Sequence, residues 1–403
     1  MKAPSRTIAR VLAGELCSGC GLCASVGGVA MQPVPPGYNR PQPLPQVTPE
    51  QERMLAQACP GARVAPWHDA PHIHAVWGPY HRVATGYATD DEIRHRASSG
   101  GALTGLAVFA LRAGLVDRVI HVGADPGRPT RNRTLVSRCA EEVVGGAGSR
   151  YAASSPLADI DAVLAEGGRA LFIGKPCDVG ALRQLGRFDP RVEAHVPYIL
   201  SFFCAGIPSQ TGADRILAEF GMREEEVHSF RYRGFGWPGM ASATAHDGRS
   251  AEMTYERSWG HHLSREVQFR CKICPDALGG VADIACADAW YGGETGYPTF
   301  EEQAGRSLVM TSTAAGEQLL ERALAAGAIG ADPLDVAEID LMQPSQARRK
   351  RLIGARVAAV RATLNPAPRM GGLCVAEAGR RATPRETLKN FLGTARRILQ
   401  GRR

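Results

Sequence analysis

Two short cysteine runs constrain this chain more than anything else in it: "CSGCGLC" at residues 17–23 and "CKICPD" at residues 271–276. Thiolates spaced C-x2-C-x2-C can all point into one small volume when the loop wraps round, and Gly19 and Gly21 stand in the gaps where tight turns are needed. The fourth member of the first set is Cys59, in "ACPG". A tight triple completed by a Cys-Pro is the spacing of iron–sulfur runs that hold a 4Fe–4S cluster; zinc also accepts four thiolates, but structural zinc sites usually draw them from two separated pairs.

The second set is more dispersed. "CKICPD" supplies Cys271 and Cys274, and a lone CxxC leaves zinc, a redox disulfide and a cluster open. Cys177 in "GKPCD" and Cys204 in "FFCAG" would complete a four-thiolate site. Cys139, Cys286 and Cys374 are isolated and read as buried apolar residues or incidental thiols. Eleven cysteines in 403 residues, with no apolar signal-peptide core in "MKAPSRTIARVLAGELC", do not suggest a disulfide framework. No apolar run reaches the ~18 residues of a spanning helix. The expectation is a soluble cytoplasmic protein.

Around the cysteines the texture is α/β. Residues 1–75 are rich in Pro, Gly and Cys and make sense as a small ferredoxin-like module folded around a cofactor. Its one clear helix is "TPEQERMLAQA", where Thr48 and Gln51 can form a capping box and Pro49 fits the first turn. Further on, "DRVIHVG", "RALFIG" and "VPYILSFFCAG" read as strands, alternating with helical patterns at "SSGGALTGLAVFALRAGLV", "LADIDAVLAEGG" and "KPCDVGALRQL". That alternation predicts a mostly parallel sheet with flanking helices. Ligands of such sheets sit beyond the strands' carboxyl ends, where Cys177 and Cys204 fall. Residues 228–263 read as a β-hairpin insertion. The expected units are 1–75, a domain at 76–160, a second at 161–335 and a basic helical tail at 336–403.

Charge is concentrated in that tail: residues 344–403 carry 15 Lys and Arg against Glu377 and Glu386, while the whole chain is only +7. A basic tail suits an acidic protein partner or an anionic membrane face, and the simplest account of "QARRKRLIGARVAAVRA" is a solvated amphipathic helix. No aromatic residues interleave there to stack bases, so nucleic acid is not an expected partner.

Three further segments are candidates for a ligand site. "RHRASSGG", residues 94–101, offers hydroxyls and backbone N–H groups at a helix start with Arg94 and Arg96 nearby, suited to a phosphate or a flavin edge, with simple N-capping as the alternative. "FRYRGFGWPG" gathers Arg231, Tyr232, Arg233, Phe235 and Trp237 in one glycine-rich turn. "DIACADAW" puts Asp283 and Asp288 at a strand end. No G-x-G-x-x-G follows a strand, so a Rossmann dinucleotide site is not supported.

Taken in order, "CSGCGLC", "WGPY", "RASSGGALTGLAVFALRAGLVDRVI", "GSRY", "GKPCDVGALR", "FFCAGIPS", "FRYRGFGWPG" and "CKICPDALGGVADIACADAW" resemble the coenzyme F420 hydrogenase and dehydrogenase beta-subunit family over residues 17–330. The resemblance implies an iron–sulfur flavoprotein with FAD and two 4Fe–4S clusters. Spacing makes Cys17, Cys20, Cys23 and Cys59 the expected ligands of one cluster, and the resemblance implies Cys177, Cys204, Cys271 and Cys274 as ligands of the other. For the flavin it implies the Ser98, Ser99, Gly100 and Gly101 loop; Arg96, Ser149, Arg150, Tyr151, Asp276 and Asp288 are further cofactor-binding candidates. "CSGCGLCASVGG" lacks the longer cysteine-containing stretch of the chlorophyll-pathway members, which argues against a tetrapyrrole substrate.

The function this implies is electron relay from ferredoxin or another one-electron donor to a flavin that reduces a small-molecule substrate or the deazaflavin coenzyme. The alternative is a non-catalytic electron-transfer subunit of a larger redox complex. Lys175 and Arg231 are candidates for orienting an anionic substrate and His261 for supplying a proton; in a homo-oligomer a second copy of the chain is a further partner.

Overall fold

The structure, a computed structural model, describes residues 1–290 and 302–401; residues 291–301 of the expected 161–335 unit and 402–403 of the tail lie outside the described residues. At its centre is an eight-stranded sheet in the order Arg128–Ser137, Arg118–Asp125, Ala170–Ile173, Tyr198–Phe202, Ile284–Asp288, Ser307–Thr311, Arg82–Ala88, Ile329–Pro333. Period-two alternation sends neighbouring side chains to two different cores. Val119, Leu171 and Leu200 pack under the helices Ala102–Arg112 and Ala314–Ala325, whereas Ile120, Phe172 and Ile199 pack under Ile160–Ala165 and Pro176–Leu185.

The sheet corrects one expectation: it is mixed, not mostly parallel. Only the three pairings that join Arg118–Asp125, Ala170–Ile173, Tyr198–Phe202 and Ile284–Asp288 are parallel; the other four are antiparallel. The parallel centre follows from helical crossovers. At one edge Arg118–Asp125 turns straight back into Arg128–Ser137, with the Asp125 carboxylate accepting from the Gly127 N–H at 2.8 Å. The insertion also differs in detail. Val227–Arg231, Met240–Ala245 and Ser250–Thr254 form a three-stranded antiparallel sheet instead of a hairpin.

The first 60 residues hold helices Arg6–Ala13, Leu22–Gly27 and Pro49–Ala58, the last with both bonds of the Thr48–Gln51 capping box. Ile8, Val11, Leu16 and Leu55 share one core with Phe269, Ile273, Ile353, Val357, Val360 and Ile398. The basic helix Pro344–Ala362 is therefore not a solvated face: Leu352, Ile353, Val357 and Val360 are buried, and helix Pro384–Leu399 packs on it. Among the described residues no helix is long and apolar enough to cross a membrane.

His121 in the sheet is buried, with Nε2 at 2.8 Å from the Ser137 hydroxyl, and burial pushes its imidazole down to about 4. The unfolded chain takes up this proton near pH 6.5 and the folded one only near 4. The stabilisation is therefore complete above 6.5 and falls by up to about 3 kcal/mol as the pH drops toward 4. His121→Gln should flatten the loss of stability between pH 7.5 and 5, read by urea unfolding.

Candidate functional site

Cys17, Cys20, Cys23 and Cys59 line one small space together with Ile8, Val11 and Met31. Gly19 and Gly21 adopt φ of +80° and +93°, which wraps the loop, and a Cβ on Gly21 would lie 2.6 Å from the backbone nitrogen of Ala158. Cys59 follows directly from helix Pro49–Ala58 and is held by its N–H donating to the Leu55 carbonyl. Burial, reinforced by the neighbouring Cys17 thiol, pushes the Cys59 thiol up to about 11; Cys20 and Cys23 are raised by burial and by the other thiols of the set. As free thiols they are neutral groups crowded together. As thiolates they would require a positive centre among them.

The second set assembles at the carboxyl ends of the parallel strands. Cys177 opens helix Pro176–Leu185 just after Ala170–Ile173, and Cys204 follows Tyr198–Phe202. Cys271 and Cys274 come in from the short helix Phe269–Lys272. Cys177 lies within electrostatic reach of Cys204 and Cys271, and Cys204 of Cys271 and Cys274; burial, then Cys271, raises Cys204 to about 12. Gln268 Nε2 donates to the Cys271 sulfur at 3.5 Å.

Cations surround these sulfurs. Lys175 is buried and spends its ammonium on the Ser154 hydroxyl at 2.7 Å, the Ser154 carbonyl at 3.4 Å and the Asp178 carboxylate at 2.7 Å. That leaves no ammonium proton for a substrate, so its geometry is that of a fixed counter-charge. The basic helix closes over the second set from outside: Arg349 donates to the carbonyls of Cys204 at 2.8 Å and Cys271 at 2.5 Å, Lys350 to Pro275 at 2.8 Å and Arg356 to Lys272 at 3.0 Å. Arg270 lies between the two sets. It is 2% exposed, donates to the Pro60 carbonyl from Nε at 3.2 Å and from Nη2 at 2.8 Å, and faces Cys274, Cys177 and Cys271.

A second region joins the expected flavin residues. The Ser98 hydroxyl accepts from the Ser149 N–H at 2.6 Å and donates to the Arg233 carbonyl at 3.2 Å, linking "SSGG", "GSRY" and the arginine turn. Arg231 donates to the carbonyls of Arg96 and Ala147 and stacks 3.8 Å from the Phe235 ring centre. No carboxylate pairs with it among the described residues, and burial, then Arg150 and Arg96, lowers its guanidinium to about 10. Arg150 is anchored to Asn132 and to the carbonyls of Pro129, Arg131 and Phe230. Arg233 pairs with Asp288 at 2.7 Å between the rings of Tyr255 and Trp290, its Nη2 and the Trp237 Nε1 being buried without a hydrogen-bond partner among the described residues. Tyr151 packs 5.0 Å from Trp259.

Other placements depart from expectation. The "SSGG" N–H groups are not all free: Gly100 donates to the Ser307 hydroxyl at 3.1 Å, and the Ser99 hydroxyl donates to the Arg306 carbonyl at 2.7 Å. A Cβ on Gly100 would stand 2.6 Å from both Gly86 O and Ser307 N, so this glycine is required by close packing of the helix start on two strands. Gly101 adopts φ +74° as the N-cap. Gly100→Ala is expected to cost about 1–3 kcal/mol, measured by thermal unfolding. Arg96 pairs with Glu92 at 3.1 Å and is half-exposed. Asp276 is buried, accepts from the Gly280 N–H at 3.1 Å and sits near Lys350, on the thiol side instead of among the flavin residues. Asp283 lies at the amino end of its strand, bound to Arg183, Ile199 and Thr313, so of the two aspartates only Asp288 faces the arginine turn. His261 is exposed on the turn Ser258–Leu263, while Lys175 and Arg231 have separate partners; the three do not form one constellation. A cavity of about 460 Å³ beside Trp67, Arg183 and Asp283 is at the opposite, amino end of the parallel strands.

Residues 83–160 match the family described as coenzyme F420 hydrogenase/dehydrogenase, beta subunit N-term, and residues 167–337 match its C-terminal counterpart. The chain belongs to this family. It is 24% identical to the coenzyme F420 hydrogenase subunit beta of Methanothermobacter thermautotrophicus over 73% of its own length and 99% of the relative's. It is 27% identical to the chloroplastic 7-hydroxymethyl chlorophyll a reductase of Oryza sativa subsp. japonica, over 49% of this chain and 40% of that one. A chain of the F420-reducing nickel–iron hydrogenase complex from Methanosarcina barkeri has the same fold, with a TM-score of 0.54 at 21% identity over 72% of this chain and 96% of that one. This is an oxidoreductase family, and the β-subunit fold is what the mixed sheet represents.

Proposed function

We propose that this member is an FAD- and iron–sulfur-dependent oxidoreductase, with a 4Fe–4S cluster on each cysteine set and FAD at the arginine turn, working between a ferredoxin-type one-electron donor and a small-molecule substrate or deazaflavin coenzyme. The observation that carries it is the placing of the buried Arg270 between Cys59 of the first set and Cys177, Cys271 and Cys274 of the second. The donor sets fit clusters better than single ions. A tetrahedral zinc site brings its thiolate sulfurs within about 4 Å of one another, and among the described residues no three Cys, His, Asp or Glu are gathered closely enough to hold one ion. The arginine turn fits an anionic ligand with aromatic character, because Arg231 has no carboxylate partner among the described residues and Phe235, Tyr255 and Trp290 stand beside the guanidinium groups.

When bound, the clusters would supply one-electron transfer and the flavin would pair two electrons for hydride transfer. The chain's own part is positional and electrostatic. Lys175, Arg270 and Arg349 hold positive charge against the cysteine loops, and Arg231 would orient a phosphate or carboxylate beside the Ser98–Ser149 junction. Asp288 fixes the Arg233 plane between two rings. A second reading, a non-catalytic electron-transfer subunit, draws on the names of the relatives, a hydrogenase beta subunit and a hydrogenase complex. Anaerobic purification with iron, sulfide and flavin assays tests the proposal. About eight irons and one FAD per chain support it; zinc without flavin sinks it. Turnover of a deazaflavin by the isolated chain separates enzyme from relay.

A further inference from the structure

We infer that Arg270 is a positioning residue common to both cysteine sets, a single buried guanidinium that sets the electrostatic environment of the two redox sites together and ties their loops into one unit. This rests on the cluster reading above. Arg270 immediately precedes Cys271, and its guanidinium donates twice to the carbonyl of Pro60, which immediately follows Cys59. A ligand of one set is thus joined to a ligand of the other through one peptide unit on each side and one hydrogen-bonded contact. Its charge is felt by Cys59 across the Pro60 contact and by Cys274, Cys177 and Cys271 on its other side.

A second observation points the same way. A buried guanidinium without a counter-charge is strongly unfavourable, yet among the described residues no carboxylate pairs with Arg270, whose side-chain bonds go to the Pro60 carbonyl on one flank and the Cys274 sulfur on the other. The anions available to it are the sulfur sites on its two flanks. The same cation therefore favours an added electron at either site. Arg349 provides the contrast, since it donates to Cys204 and Cys271 and touches only the second set.

The test is a redox titration of the purified holoprotein followed by electron paramagnetic resonance, with iron assayed in parallel, for wild type, Arg270→Met and Arg349→Met. With iron retained, Arg270→Met should lower the midpoint potentials of both centres, while Arg349→Met lowers only that of the Cys177/Cys204/Cys271/Cys274 centre. Iron retained with one potential or neither moved in Arg270→Met overturns the inference and leaves the cluster reading standing; wild-type protein without iron removes both. Should Arg270→Met fail to fold or to hold iron, the wild type decides alone. Two reduced centres flanking one side chain should broaden each other's signals and titrate with mutual repulsion, and two independent, unbroadened signals would overturn the shared position.

Discussion

Cys271→Ser is expected to halve the metal content of the chain, from about eight irons to about four, with the remaining visible absorbance assignable to the first set. Cys271 is buried, its sulfur accepts from Gln268 and its carbonyl accepts from Arg349, so the loop geometry survives the exchange while the ligand does not. A serine hydroxyl is a harder, shorter and far more weakly acidic donor than a thiol and does not replace it on iron. Cys17→Ser should remove the other half. Iron and acid-labile sulfide per chain are the measurement. Loss of all eight irons from either variant would mean that the two sets fill only as one unit, and retention of eight would exclude Cys271 as a ligand.

The part of this site that was legible in the sequence is the part fixed by local spacing. Cys17, Cys20 and Cys23 must approach one another because two residues separate each pair and glycines turn the loop, and the Thr48–Gln51 capping box likewise reads directly from order along the chain. What failed depends on partners distant in sequence. A short, continuous apolar run identifies Ala170–Ile173 or Ser307–Thr311 as a strand but carries no information on whether its neighbour runs with or against it. Arg128–Ser137 is an edge strand, tolerant of Arg128, Arg131 and Arg133, so it resembles a polar loop. Arg349 is one of four consecutive basic residues, and nothing local distinguishes it from Arg348, which stays exposed. Arg270 did leave a signal: an arginine directly before a CxxC pair, with no acidic residue beside it until Asp276 on that side.

Lys175→Met should destabilise the fold by about 3–5 kcal/mol, because it strands a buried carboxylate. Asp178 is fully buried; its Oδ2 accepts from the Lys175 ammonium and backbone N–H, and its Oδ1 has no partner among the described residues. Burial raises this carboxyl, and Lys175 is the first of the groups that hold it down. Without the ammonium, the negative charge would face Cys20 of one set and Cys177 of the other. Asp178→Asn removes that charge and keeps an oxygen for the Lys175 backbone N–H, so Lys175→Met combined with Asp178→Asn should recover most of the stability in urea unfolding. The double variant also separates the two roles open to Lys175. A lysine that only balances Asp178 beside the sulfurs predicts a folded protein with an unchanged KM for the substrate, the positive and negative charges lost near Cys177 offsetting one another. A lysine that orients an anionic substrate predicts a raised KM in that same folded protein, and the engagement of all three ammonium protons by Ser154 and Asp178 argues for the first outcome.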